Sequence, residues 1–263
     1  MTILITVPVY NTPQDLFEKC VSSLLEQTYT DICLLILGDG ATPSISSNDS
    51  RLVMHTLSQN RGRYFADAVA QRASPFEFYA PHDSDDYSEP GRLDDLMSHI
   101  DRGDGAVWSD HINHSPSGAT SRMTFPRATM PLGPRQQRQG CHLGLYRIDR
   151  LYLTGMYHPE FRVHYDSLHN SLIKMTGKVA VSPNALYHRV KWSGSLTLAP
   201  QTRLAGPYRQ NAAARCRSIY TDAWQLYQKG RPEKIASLIT STIGDETLDA
   251  VEAETEALRK ALT

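Results

Sequence analysis

Apolar positions come in short blocks along the first third of the chain, and their spacing switches between two rhythms. Ile3–Pro8 is a short apolar run of the kind that forms a fully buried strand. Thr12-Pro13-Gln14-Asp15 then reads as a helix start, with threonine as cap, proline at the first helical position and an acid in the first turn. Leu16, Phe17, Cys20, Val21, Leu24 and Leu25 recur at helical spacing and form its inward stripe. Ile32–Leu37 is a second buried strand, ended by Gly38-Asp39-Gly40. Strand, helix, strand in so short a span is a βαβ unit, which implies a parallel sheet and a right-handed crossover.

The alternation continues. The pattern predicts a strand over 51–56, a helix over 61–72 and a strand over 76–81 that runs into His82-Asp83-Ser84-Asp85-Asp86. A helix is expected over 89–100 and a strand over 105–109. Polar loops thus recur at the C-terminal ends of strands, where open α/β sheets bind ligands. Residues 111–142 are broken by Pro and Gly and read as a hairpin followed by a mobile loop. Beyond them the pattern predicts a helix over 166–175, a short strand over 178–181, and helices over 209–228, 232–242 and 246–261. The expected organisation is an α/β domain over 1–198, with a helical C-terminal extension over 199–263. Within that domain, 1–110 forms a first half and 111–198 a second.

Composition adds constraints. With 263 residues and 40% hydrophobic positions, the chain can bury a core without disulfides or structural zinc. Cys20, Cys33, Cys141 and Cys216 are isolated, with no metal-site spacing, and suit a reducing compartment. The N-terminal apolar run is too short for a signal peptide and no stretch approaches a membrane span, so a cytoplasmic protein is expected. The formal net charge of −1 conceals an asymmetry: residues 1–121 carry a net of −10, residues 122–220 a net of +12 and the tail −3.

The most informative feature is Asp83-Ser84-Asp85-Asp86. Three carboxylates within four residues repel one another, and a hard divalent cation such as Mg²⁺ or Mn²⁺ would relieve that repulsion. A solvated acidic turn leading into the next helix is the competing reading.

Its context extends the argument. Pro8-Val9-Tyr10-Asn11, a helix ending in Glu26-Gln27-Thr28-Tyr29, a Gly-Asp-Gly turn and Asp-Ser-Asp-Asp follow one another in an order and spacing that resembles family 2 glycosyltransferases of the GT-A fold. The resemblance runs from about Ile3 to Leu93 and resumes over 140–197. It implies a Rossmann-like, mostly parallel sheet flanked by helices, and an inverting, metal-dependent nucleotide-sugar transferase. By the same resemblance Pro8, Tyr10 and Asn11 line the nucleotide-base pocket, and Asp39 accepts from a uracil imide, which favours a UDP-sugar, UDP-glucose being the expectation. Gly38 stands where the family usually has an acid. Arg63 touches base or phosphate, or is a surface helix arginine. Asp83 holds the ribose, and Asp85 or Asp86 binds Mn²⁺ or Mg²⁺.

In the second half, Phe161-Arg162-Val163-His164-Tyr165-Asp166-Ser167-Leu168 resembles the segment that bears the catalytic base, with Tyr165 where an acid usually precedes it. Asp166 is the sole carboxylate between Glu160 and Asp222, and serves either as that base or as a helix cap. Leu186–Val190 with Ser193–Thr197 resembles the family's closing loop. There His188 is a candidate metal ligand or phosphate contact, Arg189 and Lys191 neutralise the departing diphosphate, and Trp192 covers the donor or anchors packing.

The acceptor is read from charge. The +12 segment falls on the acceptor side and carries more cations than one diphosphate needs, so an anionic acceptor is expected. The favoured reading is a hydroxymethylated base in DNA, reached by base flipping, as in phage-type modification. The alternatives are a polysaccharide, lipid-linked or small-molecule acceptor, and a non-catalytic module that binds a nucleotide sugar.

Overall fold

Short helical crossovers commit the opening strands to parallel pairing, because only a helix-length connection returns a strand in the same direction. The computed structural model describes residues 1–100, 104–125, 132–135, 143–203 and 206–262. Its first half runs β1 (Ile3–Val9), α1 (Gln14–Leu25), β2 (Ile32–Asp39), β3 (Leu52–Leu57), α2 (Arg63–Ala73) and β4 (Phe78–Pro81). Next come β5 (Tyr87–Ser88), α3 (Arg92–Ser98), β6 (Asp104–His114), β7 (Thr120–Met123), β8 (Leu145–Arg147), α4 (Ile148–Leu153), α5 (Tyr165–Thr176) and β9 (Lys178–Val190). Helices α6 (Pro207–Gln228), α7 (Ile235–Ser241) and α8 (Asp245–Leu262) end the chain.

The strands form one sheet in the order β3-β2-β1-β4-β8-β6-β9-β5, with β7 paired to β6. The block β3-β2-β1-β4 is parallel throughout. The second half is mixed: β8 is antiparallel to β4 and β6, β5 to β9 and β7 to β6, while β6 and β9 run parallel. The sheet is thus mostly parallel, and its antiparallel pairings are short ladders. After β1 the chain adds β2 on one side and later β4 on the other, so the strand order reverses between β1 and β4. That switch point opens a crevice at their C-terminal ends.

Alternation along β1 sends Ile3, Ile5 and Val7 to one face, where they meet Phe17, Cys20, Val21 and Leu24 of α1. Leu4 faces the opposite layer, built on α2, α5 and α6. The C-terminal helices belong to that layer: Cys216, Ile219, Ile239, Val251 and Leu258 share its cluster, and Glu254 accepts from the Ser58 amide at 2.9 Å. Among the described residues no helix is long and apolar enough to cross a membrane.

Several boundaries differ from the sequence reading. Helix α1 is capped by Pro13 rather than Thr12, whose hydroxyl instead bonds Ser84 Oγ at 2.6 Å and ties the β1 loop to the acidic loop. Helix α3 is shorter than expected, running from Arg92 to Ser98, and Tyr87–Ser88 before it pairs with β9. The largest difference is β9, which continues past Val181 to Val190. The strand absorbs residues after Ser182 as a bulge where β6 steps from Ser109 to His111. The β6–β7 hairpin has the expected form, while residues 126–131 and 136–142 of the expected mobile loop lie outside the described residues.

Candidate active site

The crevice between β1 and β4 widens into a cleft of about 950 Å³. Pro8, Tyr10 and Asn11 line it from the end of β1, Asp39 from β2, Arg63 from α2, and Asp83, Asp85 and Asp86 from the loop after β4. Asp166 lines it from the second half, together with Arg189, Lys191 and Trp192. Residues read from separate motifs thus converge on one space.

Each position has a local cause. Asp39 is buried, and its two carboxylate oxygens accept from the Arg61 and Gly62 amides, both at 2.8 Å. Burial pushes its pKa up, and those two bonds with nearby Arg162 pull it back. The carboxylate therefore shapes the loop entering α2, and it keeps further lone pairs for a ligand. Gly40 has φ +78°, and a Cβ there would lie 2.3 Å from the Asn60 amide, so glycine lets the β2 turn approach that loop. Arg162 closes the arrangement by donating to Asn60 Oδ1 at 2.9 Å and Asn60 O at 3.0 Å.

The acidic loop separates into unlike roles. Asp83 pairs with Arg63 Nη1. Asp85 accepts from the Trp192 indole N–H at 2.7 Å. Asp86 is 2% exposed and spends both oxygens on β9, accepting from the Tyr187 hydroxyl at 2.6 Å and the Val190 amide at 2.7 Å. Burial, then the neighbouring Asp85 charge, pushes the Asp86 pKa up to about 7. Burial also raises Asp85, against the lowering effect of the Trp192 bond. One ligand oxygen from each of Asp83, Asp85 and Asp86 lies within 4.8 Å of the others. An all-oxygen, anionic set whose charge is penalised by burial fits a hard divalent cation.

His188 does not join this set. Alternation along β9 turns Tyr187 toward Asp86 and His188 to the other face. There His188 Nε2 meets Glu89 Oε1 at 2.8 Å, Nδ1 meets His114 Nε2 at 2.9 Å, and the ring stacks on Tyr87. His188 thus stands apart from the three carboxylates.

Asp166 sits in the first turn of α5, whose cap position is His164 at φ 73°. Its expected role as a helix cap is likewise corrected, because the helix begins one residue earlier. The Asp166 amide donates to the Tyr64 hydroxyl at 3.3 Å, a contact from α2 that the sequence reading missed. Trp192 lies over Gly194, where a Cβ would come within 2.1 Å of the indole ring. That glycine is what allows the ring to reach Asp85.

Several arginines of the +12 segment are engaged elsewhere. Arg122 pairs with Asp110 at 3.1 Å, Arg215 with Glu160 at 2.6 Å and Arg147 with Glu77 at 3.0 Å. Arg209 donates to the carbonyls of Thr202 and Leu196. Arg127 and Arg138 lie outside the described residues.

Among solved structures, S. aureus TarS 1–349 in complex with UDP-GlcNAc is similar at TM-score 0.57 and 16% identity, over 92% of this chain and 91% of that one. The same TarS portion in complex with UDP gives 0.55 and 15%, with the same coverage. A longer TarS structure gives 0.55 and 19%, over 73% of this chain, which spans only 37% of that one. At such identities the likeness establishes the GT-A fold. No curated protein sequence matches. The sequence profile described as glycosyl transferase family 2 matches residues 4–156, and the chain is therefore a glycosyltransferase belonging to family 2, built on the GT-A fold.

Proposed function

We propose that the protein transfers a sugar from a UDP-sugar, UDP-glucose in the first instance, to a hydroxyl acceptor with inversion. The observation that carries this reading is the meeting of Asp166 and the Asp83–Asp86 cluster in one cleft with Pro8, Tyr10, Asn11 and Asp39. The UDP and UDP-GlcNAc complexes of TarS support the class of donor.

Asp166 takes the proton from the acceptor hydroxyl while that oxygen attacks the anomeric carbon; the bond to the diphosphate breaks and UDP leaves. Arg189 and Lys191 stabilise the charge that develops on the leaving diphosphate. Asp85, with Asp83 beside it, would hold Mn²⁺ or Mg²⁺, which supplies further neutralisation of that charge. Asp86 braces the loop on β9 instead of reaching the ligand. Tyr10 and Asn11 flank the base, and Trp192 covers the donor.

Asp166→Asn tests the assignment. The variant retains UDP binding by calorimetry and loses roughly 10²–10⁴-fold in transfer; near-normal turnover would remove Asp166 from the role.

The acceptor reading divides. A hydroxymethylated base in DNA draws on the +12 segment. The internal partners of Arg122, Arg147, Arg209 and Arg215 favour an acceptor that is not a polyanion: a polysaccharide, a lipid-linked sugar or a small molecule. Release of UDP from a panel of UDP-sugars with Mn²⁺, with and without hydroxymethylated DNA and across a salt series, separates them. A DNA acceptor gives DNA-dependent release that falls steeply with salt.

A further inference from the structure

Beneath the cleft lies a carboxylate that none of these steps uses. Asp67, on α2, is fully buried, and Ala66, Ala68, Val69 and Ala70 around it are buried apolar residues. A carboxylate in such surroundings is costly unless both oxygens are satisfied. Here they are: the Tyr79 hydroxyl donates to Oδ1 at 2.5 Å, and Arg63 Nε donates to Oδ2 at 3.1 Å. Arg63 in turn lines the cleft and pairs through Nη1 with Asp83. Its Nη2 has no hydrogen-bond partner among the described residues. A continuous chain, Tyr79–Asp67–Arg63–Asp83, therefore runs from the core to the site.

The planarity of guanidinium gives this chain its use. Anchoring Nε on Asp67 fixes the plane, and with it the directions of both terminal nitrogens. One nitrogen steadies Asp83 and the other is left as a donor for an anionic oxygen. A diphosphate matches a fixed, permanently charged fork better than a neutral base or ribose does. Without Asp67, the flexible side chain would be free to turn its whole fork onto Asp83 and lose the phosphate direction.

We propose that Asp67 is a positioning residue for donor recognition: it holds Arg63 so that the guanidinium reads the donor diphosphate while keeping Asp83 oriented. This inference rests on the UDP-sugar reading above. A carboxylate that merely filled the core would affect stability without distinguishing the phosphates from the nucleoside.

Calorimetric titration of the full chain with UDP and with uridine, both in the presence of Mn²⁺, tests it on wild type, Asp67→Asn, Tyr79→Phe, Arg63→Lys and the Asp67→Asn/Arg63→Lys double variant. Asp67→Asn is expected to weaken UDP roughly tenfold or more while uridine changes less than about threefold. Arg63→Lys behaves alike, since lysine cannot span both carboxylates, and the double variant is no weaker than Arg63→Lys alone. Tyr79→Phe, which keeps the carboxylate and removes one of its two bonds, weakens UDP by roughly threefold and decides the matter where Asp67→Asn does not fold. Wild-type UDP affinity in a folded Asp67→Asn or in Tyr79→Phe, equal loss for UDP and uridine, or additive effects in the double variant would overturn the inference. Failure of the wild type itself to bind UDP would overturn the donor reading as well, so the two failures are distinguishable.

Discussion

Tyr187→Phe isolates the brace beneath the acidic loop. The phenol ring of Tyr187 is fully buried, lies under Arg92 at 4.8 Å and packs on His82 at 4.8 Å, contacts that phenylalanine retains. Only the hydroxyl is lost, and with it the donation to Asp86 Oδ2 at 2.6 Å and the acceptance from the Asp83 amide at 3.3 Å. A hydrogen bond to an ionised group contributes about 1.5–3 kcal/mol, and an unpaired buried amide costs about 1 kcal/mol or more. The total is about 3 kcal/mol when Asp86 is ionised. It depends on pH, because the Asp86 pKa lies at about 7 in the folded protein against about 3.9 in an unfolded chain. Between those values the folded state holds a proton that the unfolded state has released, so stability falls as pH rises across the window. Removing the Tyr187 donor raises the folded pKa further and steepens that fall. The variant is therefore destabilised by about 3 kcal/mol at pH 8 and by clearly less at pH 6, where Asp86 is protonated. Urea unfolding in chelator at the two pH values measures this, with an unchanged m-value as the check on two-state behaviour. A cost under about 1 kcal/mol at pH 8, or the same cost at both, would refute the assignment of Asp86 as a charged brace.

Two further outcomes follow from buried titratable groups. Mn²⁺ binding strengthens from pH 6 to pH 8 as Asp86, which adds negative charge beside Asp85 without reaching the ion, gives up the proton that burial holds to about pH 7; calorimetry in buffers of different ionisation enthalpy should detect proton release at pH 6.5, and its absence would contradict the picture. His158 is fully buried with its pKa pushed down to about 4, first by burial and then by Arg215. The unfolded chain therefore binds a proton that the folded one refuses between about 6.5 and 4, and stability is lost as pH falls through that range. His158→Gln should remove about 2 kcal/mol of the wild-type loss between pH 7 and pH 5, measured by urea unfolding; an unchanged loss would count against it.

What the sequence revealed depended on whether one rhythm ruled a segment. The parallel block was legible because β1, β2 and β4 are buried on both faces, and α1 carries a clean stripe. The acidic loop and Asp166 were legible as carboxylates out of place, one set in a cluster and one among cations. Residues 186–190 resemble a loop in sequence, whereas the strand that begins at Lys178 continues to Val190. Taken as a loop, that segment makes every polar side chain a candidate; taken as a strand, it can offer the site only alternate residues. Hence the sequence points to His188 and gives no sign of Tyr187. Asp67 left a different trace, a lone acid among alanines on an apolar helix, which gains meaning only once Arg63 is seen to reach both Asp67 and Asp83. Tyr64 left none, since an aromatic at a buried helical position is ordinary core until its hydroxyl is found against the Asp166 amide.

The charge asymmetry takes on a different meaning once its partners are known. A net of −10 in one stretch and +12 in the next suggests two surfaces addressed to different ligands. Yet Arg122 reaches back to Asp110 and Arg147 to Glu77, so part of the cationic excess is consumed across the boundary between the halves. Arg215 joins Glu160 and the Thr242 carbonyl, which fastens α6 to the end of α7. The first two pairs align the half that carries Asp39 and the acidic loop with the half that carries Asp166, as the proposed inverting transfer requires, since attack and departure must lie on opposite faces of one carbon. Arg63, Arg162, Arg189, Lys191 and Arg209 line the cleft, with the Arg63 charge already shared between Asp67 and Asp83. The asymmetry therefore measures first how the two halves are joined, and only the remainder bears on the acceptor.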